Sequence, residues 1–185
     1  ILAASPDGVV TIDHEARIVE FNAMAERMFD RPAGAVIGHE LAATIFPPET
    51  QALHRDAYAR ALRGDAAVVG RRIEVDVLGA DGARFPVEFS MSATATGARP
   101  LFTVYLRDIS ARRREQARLR ESEARFRTIA NAIPQLSWMT DAFGAVTWYN
   151  QRWYDYTGSD LARMSGWGWK SVHHPEHIER VERRL

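Results

Sequence analysis

The sequence predicts an α+β fold: a five-stranded antiparallel sheet with small helices on one face, then a long helix, then the front part of a second unit of the same kind. Three observations carry this. Before residue 108, two short β-rich runs, several short helical stretches and three longer runs follow in that order. Residues 108–133 contain no Gly or Pro and are dominated by Ala, Arg and Glu, which tolerate helix interiors. The chain also matches itself without a gap when shifted by 128 positions. Ile1 then falls on Ile129, Ala4 on Ala132, Pro6 on Pro134, Asp13 on Asp141, Asn22 on Asn150, Gly38 on Gly166 and Pro47 on Pro175. Breakers that coincide with breakers imply a shared backbone, so both halves are expected to fold alike.

The elements follow in order. Val9 to Ile12 and Ile18 to Phe21 are β-rich runs around a turn at Asp13 to Ala16, the pattern of a hairpin. Asn22 is placed to cap a helix through Met28. A helical turn begins near Ala33 and stops at Gly38, and another short piece spans Leu41 to Phe46. Pro48 suits the first position of a longer helix, Glu49 to Arg63, closed by Gly64. Ile73, Val75 and Val77 alternate with polar residues, as do Phe85, Val87, Phe89 and Met91, and Asp81-Gly82 between them signals a hairpin. Leu101 to Leu106 is apolar except at Thr103 and reads as a central strand.

Composition narrows the function. The chain has 185 residues, 46% of them hydrophobic, enough for a buried core. Its 24 basic and 24 acidic residues cancel, so no global field favours nucleic acid or an anionic membrane. With no Cys there is no disulfide, thiolate metal site or cysteine nucleophile. No apolar run is long enough to cross a bilayer and no signal peptide is visible, so a cytoplasmic location is expected. The start at Ile1 reads as a piece of a larger protein.

Within the long helix Leu119, Phe126 and Ile133 recur every seven residues, with Ser122 and Ile129 between them. A narrow apolar stripe on a charged rod is the pattern of a helix that pairs with another, so a homodimer is expected. A single helix packed on its own domain is the simpler alternative.

These pieces resemble a PAS domain, a sensory fold found in front of bacterial kinases and cyclases. The resemblance lies in DGVVTIDHEARIVEFNAMAERMFDRPAGAVIG, GRRIEVDVLGADGARFPVEFSMSA and FTVYLRDISARR. The second copy is similar to the subgroup with Gly166-Trp167-Gly168-Trp169 and His174-Pro175. The expected divisions are 1–108 for the first PAS domain, 109–128 for the linker helix and 129–185 for the start of the second. The resemblance implies a signal relay through Asp108 and Ile109 into Leu119, Phe126 and Ile133, with Arg107 or Arg112 holding Asp108. An exposed helix N-cap is the plainer role for Asp108.

The segment around His54 resembles the matching helix of haem-PAS oxygen-sensor kinases, and His54 falls where their iron ligand lies. That implies a haem or ligand pocket of His54, Ala57, Tyr58, Ala61, Val68, Phe89 and Met91. The departures are specific: Ile73 stands where those sensors carry an arginine, Ala67 where they carry a second histidine, and Phe89 and Met91 replace smaller aliphatics. The plainer reading is a partly buried histidine bonded to backbone or solvent, leaving the cofactor open between none and haem b. A non-covalent flavin ranks below both, and cysteine-based flavin photochemistry is excluded. All five Trp lie in the second copy and are expected to be core and partner surface. His173, His174 and His177 are expected to mark a helix entry, with no metal. No phosphate loop, Ser-His-Asp order or carboxylate pair stands out, so no catalysis is expected in these residues. The resulting expectation is the sensory input region of a histidine kinase with a small ligand in the first domain. A haem gas or redox sensor, a cofactor-free dimerisation module and a diguanylate cyclase input are the alternatives.

Overall fold

The computed structural model describes residues 6–65, 67–94 and 100–183, so Ile1, Ala4 and Leu185 lie outside it. The chain divides into two compact units, Ile1–Glu115 and Gln116–Leu185. Among the described residues, no helix is long and apolar enough to cross a membrane.

The first unit opens with strands β1 (Gly8–Ile12) and β2 (Ile18–Phe21). Their turn is set by Asp13, whose Oδ1 accepts from the amides of Glu15 at 2.9 Å and Arg17 at 3.0 Å. Asn22 caps helix α1 (Ala23–Phe29) by accepting from the Ala25 amide at 2.8 Å. A side chain on Gly8 would lie 3.5 Å from the Ala25 backbone, so the glycine lets α1 sit close on β1. Short helices α2 (Ala33–Val36) and α3 (Leu41–Ile45) follow, then α4 (Pro48–Leu62), which begins on its proline. Gly64, at φ +80°, takes the left-handed turn just past the end of α4.

Strands β3 (Ile73–Leu78), β4 (Arg84–Thr94) and β5 (Leu101–Asp108) complete a sheet ordered β2-β1-β5-β4-β3, antiparallel throughout. The apolar run of β5 does lie at the centre. It nevertheless alternates, with Phe102, Val104 and Leu106 buried and Tyr105 41% exposed, because only one face of the sheet carries helices. The inward residues Val10, Ile12, Ile18, Val77 and Val87 meet Phe29, Val36 and Ile45 of the helices in one core.

Helix α5 runs from Ser110 to Ala132, past the boundary expected at 128. The first unit likewise extends beyond 108, because Ile109 is buried and its amide donates to the Pro86 carbonyl at 3.1 Å. The second unit contains β6 (Trp138–Thr140), β7 (Val146–Tyr149), α6 (Gln151–Thr157), α7 (Leu161–Met164), a 3-10 turn Gly168–Val172 and α8 (Pro175–Glu182).

The repeat is kept at the level of single bonds. Asn22 Oδ1 accepts from the Val9 amide and its Nδ2 donates to Asp7 O. Asn150, 128 residues later, accepts from Ser137 and donates to Gln135 O. Asp141 repeats the turn of Asp13, taking the amides of Phe143 and Ala145. Even the bulge between Thr11 and Ile12 recurs between Met139 and Thr140.

Candidate functional site

A cavity of about 530 Å³ opens in the first unit, walled by α3, α4, the loop after α4, β3 and β4. That volume lies in the range of small-molecule sites, about 300–1,000 Å³. His54, Ala57 and Tyr58 of α4 line it, because positions three and four apart share a helix face. Val68 lines it from the loop, and Phe89 and Met91 from β4. Ala61 does not: it is 4% exposed and packs in the main core instead.

His54 lies flat on Phe46, ring centroids 3.5 Å apart and planes 13° from parallel, with Phe89 at 6.5 Å. Neither ring nitrogen has a hydrogen-bond partner among the described residues, so of the expected bond to backbone or solvent the backbone half is not formed. Burial pushes its pKa below the ordinary 6.5, so the imidazole is neutral at neutral pH. Tyr58 is committed differently. Its hydroxyl donates to the Asp13 carbonyl and its ring meets Phe102 edge-on at 5.3 Å. Burial first, then the Asp13 charge, raise its pKa to about 12.

Ile73 and Ala67 line the wall where the haem-PAS pattern has arginine and histidine, and Arg71 lines it beside them. Arg72 turns instead to Glu88, 3.5 Å away. A neutral imidazole on the cavity wall is chemically competent to ligate haem iron, although the second-nitrogen partner that usually orients such a ligand is missing, and Arg71 lines the same cavity.

At the exit of the sheet, Asp108 Oδ1 accepts from the Ser110 amide at 2.7 Å. This is the local cap; neither Arg107 nor Arg112 holds Asp108, because both are taken elsewhere. Arg107 makes two 2.8 Å bonds to Asp7. Arg112 reaches Glu74 Oε1 at 2.5 Å, and Arg113 reaches Glu74 Oε2 through Nη2 at 2.7 Å. Arg113 Nη1 also lies 3.8 Å from Asp76. These contacts tie α5 to β3, and sequence reasoning missed them. The available signal was that Glu74 and Asp76 alternate with apolar neighbours opposite a run of arginines. Along α5, Leu119 and Ile129 are each 60% exposed and Phe126 is exposed too, although it meets Trp148 edge-on at 5.1 Å; Ile133, expected on the same stripe, is exposed but lies just past the end of the helix at Ala132.

In the second unit Trp153 and Trp169 are core, Trp138 and Trp167 are about half exposed and Trp148 is intermediate. His173 Nδ1 pairs with the Trp169 carbonyl at 3.0 Å. Among the described residues no group of His, Asp and Glu could hold a metal ion.

Comparison with known proteins adds the following. Residues 2–114 match a family described as PAS fold, and residues 124–184 match one described as PAS domain. Sensor protein FixL of Bradyrhizobium diazoefficiens is 31% identical over 126 residues, covering 67% of this chain and 25% of that protein. Hybrid signal transduction histidine kinase H of Dictyostelium discoideum is 36% identical over 56 residues, covering 30% of this chain and 4% of that protein. The chain spans a quarter or less of the curated relatives it matches. A solved PAS domain from Colwellia psychrerythraea superposes with a TM-score of 0.52 at 16% identity, covering 60% of this chain and 92% of that structure. That likeness concerns the fold alone.

Proposed function

The chain belongs to the PAS family, and from that premise we propose that it is the cytoplasmic input region of a sensor histidine kinase. Occupancy of the cavity beside His54 is relayed to α5. The observation that supports the relay is the two-sidedness of β3. Ile73 and Val75 face the cavity, while Glu74 between them holds Arg112 and Arg113. Asp76 touches both the cavity wall and Arg113. β3 is an edge strand, paired only with β4, so it can shift without breaking the centre of the sheet. A filled cavity displaces β3, and the displacement reaches the first turns of α5 through the ion pairs, alongside Asp108 and Ile109.

Ala57→Trp, which fills the cavity, tests this by hydrogen exchange. Protection should change at the amides of residues 112–119 and stay constant in β1 and α1. In a Glu74→Gln background the change at α5 should vanish. Unchanged protection in Ala57→Trp would rule the relay out.

The same reading includes a second copy of the chain along α5, supported by the exposed Leu119, Phe126 and Ile129. Sedimentation should give a dimer that Leu119→Asp with Ile129→Asp converts to a monomer. A wild-type monomer at micromolar concentration would sink the pairing.

The unbonded ring of His54 favours a second reading, a haem-based gas or redox sensor. Haem b would be held by His54, with Arg71 on a propionate, and would supply an iron that binds a diatomic gas or changes oxidation state. A Soret band lost in His54→Ala supports it; protein that stays colourless after haem addition ends it.

A further inference from the structure

Around the cavity wall, nearly every polar side chain is already spoken for. Glu40 and Arg55 hold each other through two bonds. Arg60 is paired with Asp65, Arg84 with Glu49 and Asp76 with Arg113. The Thr50 hydroxyl donates to the Pro47 carbonyl, and the Tyr58 hydroxyl to Asp13. Two polar side chains remain without a partner among the described residues: His54, half-buried, and Arg71, exposed at the mouth. The rest of the wall is apolar or aromatic, with Phe46, Phe89 and Met91 prominent.

The backbone next to Arg71 is anchored. Gly70, at φ +79°, donates its amide to the Met91 carbonyl at 2.7 Å, which anchors the loop on β4 one residue before the arginine. A single unpaired guanidinium on the cavity wall is suited to one carboxylate, which it can grip with two parallel bonds. It is too little for a nucleotide or sugar phosphate, whose several charged and hydroxyl groups would meet an apolar wall without partners.

We propose that the cavity takes a flat, apolar monocarboxylate, its ring system against His54, which Phe46 backs, and Phe89, and its carboxylate on Arg71. This rests on the cavity being a ligand site, as proposed above, and adds the class of ligand. A neutral imidazole serves such a molecule well: it stacks without demanding a counter-charge and offers one donor and one acceptor to a ring substituent.

The test uses an isosteric pair, pyrene-1-carboxylate and pyrene-1-carboxamide, titrated by calorimetry into the chain near neutral pH. The acid should bind about tenfold or more tightly than the amide, the size of one charge-assisted contact. Arg71→Met should bring the acid down to the amide and leave the amide unchanged. Phe89→Trp, which fills the cavity, should abolish both. Equal binding of acid and amide, or a preference for the acid that survives Arg71→Met, overturns the ligand class and leaves the cavity as a site. Failure of both probes to bind the wild-type chain overturns the ligand class together with the cavity reading.

Discussion

Arg113 holds Glu74 through two nitrogens, Nε at 3.2 Å and Nη2 at 2.7 Å from the same carboxylate oxygen. The Arg113 hydrogen bond keeps the Glu74 carboxyl below its ordinary 4.5, so the pair persists at neutral pH and is lost only as pH falls below that range. Glu74→Gln keeps the shape and removes the charge. Amides in the first two turns of α5 should exchange faster, while the melting temperature of the first unit barely moves, since exposed ion pairs contribute little to stability. A drop in melting temperature like that of a core substitution would show that the contact holds the unit together rather than linking two elements.

Phe29→Ala should be the costly substitution. Its ring is fully buried, 6.0 Å from Phe21 and 5.5 Å from Phe85. Loss of the ring leaves a void and should cost about 3–5 kcal/mol, measured by urea denaturation. A cost below about 1 kcal/mol would mean the core closes over the gap.

His54 makes the first unit sensitive to acid. Its folded pKa lies below the ordinary 6.5, so the unfolded chain takes up the proton first. Stability should therefore be full above that value and decline as pH falls through it, levelling once the folded form also protonates. His54→Gln should flatten this part of the profile, read as urea midpoints between about pH 7.5 and pH 5.5. Parallel wild-type and mutant profiles would refute it.

Asn150 is fully buried and bonds the Ser137 amide at 3.1 Å, the Ala130 carbonyl at 3.2 Å and the Gln135 carbonyl at 2.9 Å. Asn150→Ala leaves these groups unpaired and should destabilise the second unit by about 1–3 kcal/mol. The Ser137 amide should lose its protection from hydrogen exchange, and protection at the Val9 amide in the first unit should not change. Retained protection at Ser137 would show that another acceptor replaces the side chain.

The sheet, the short helices and the duplication were legible because each is written in local chemistry. Asp13 and Asn22 act on amides within a few residues or across one hairpin, and Pro48 and Gly64 bracket a helix wherever they occur. Ala61 was misplaced because helical spacing gives a face but not what that face meets. The Glu74–Arg113 contact left only a weak signal, for a different reason. Its partners are 39 residues apart, and neither the alternation around Glu74 nor the arginine run before Glu115 says that the two meet. The two unpaired side chains of the cavity became visible only once every other polar group had been matched, and that takes three dimensions.

The five tryptophans, all between Trp138 and Trp169, give the chain an optical asymmetry. Indole emission belongs wholly to the second unit, while the cavity of the first is walled by phenylalanine, tyrosine and histidine rings and contains no indole. The sequence thus gives the second unit an optical reporter of its own, with no label attached.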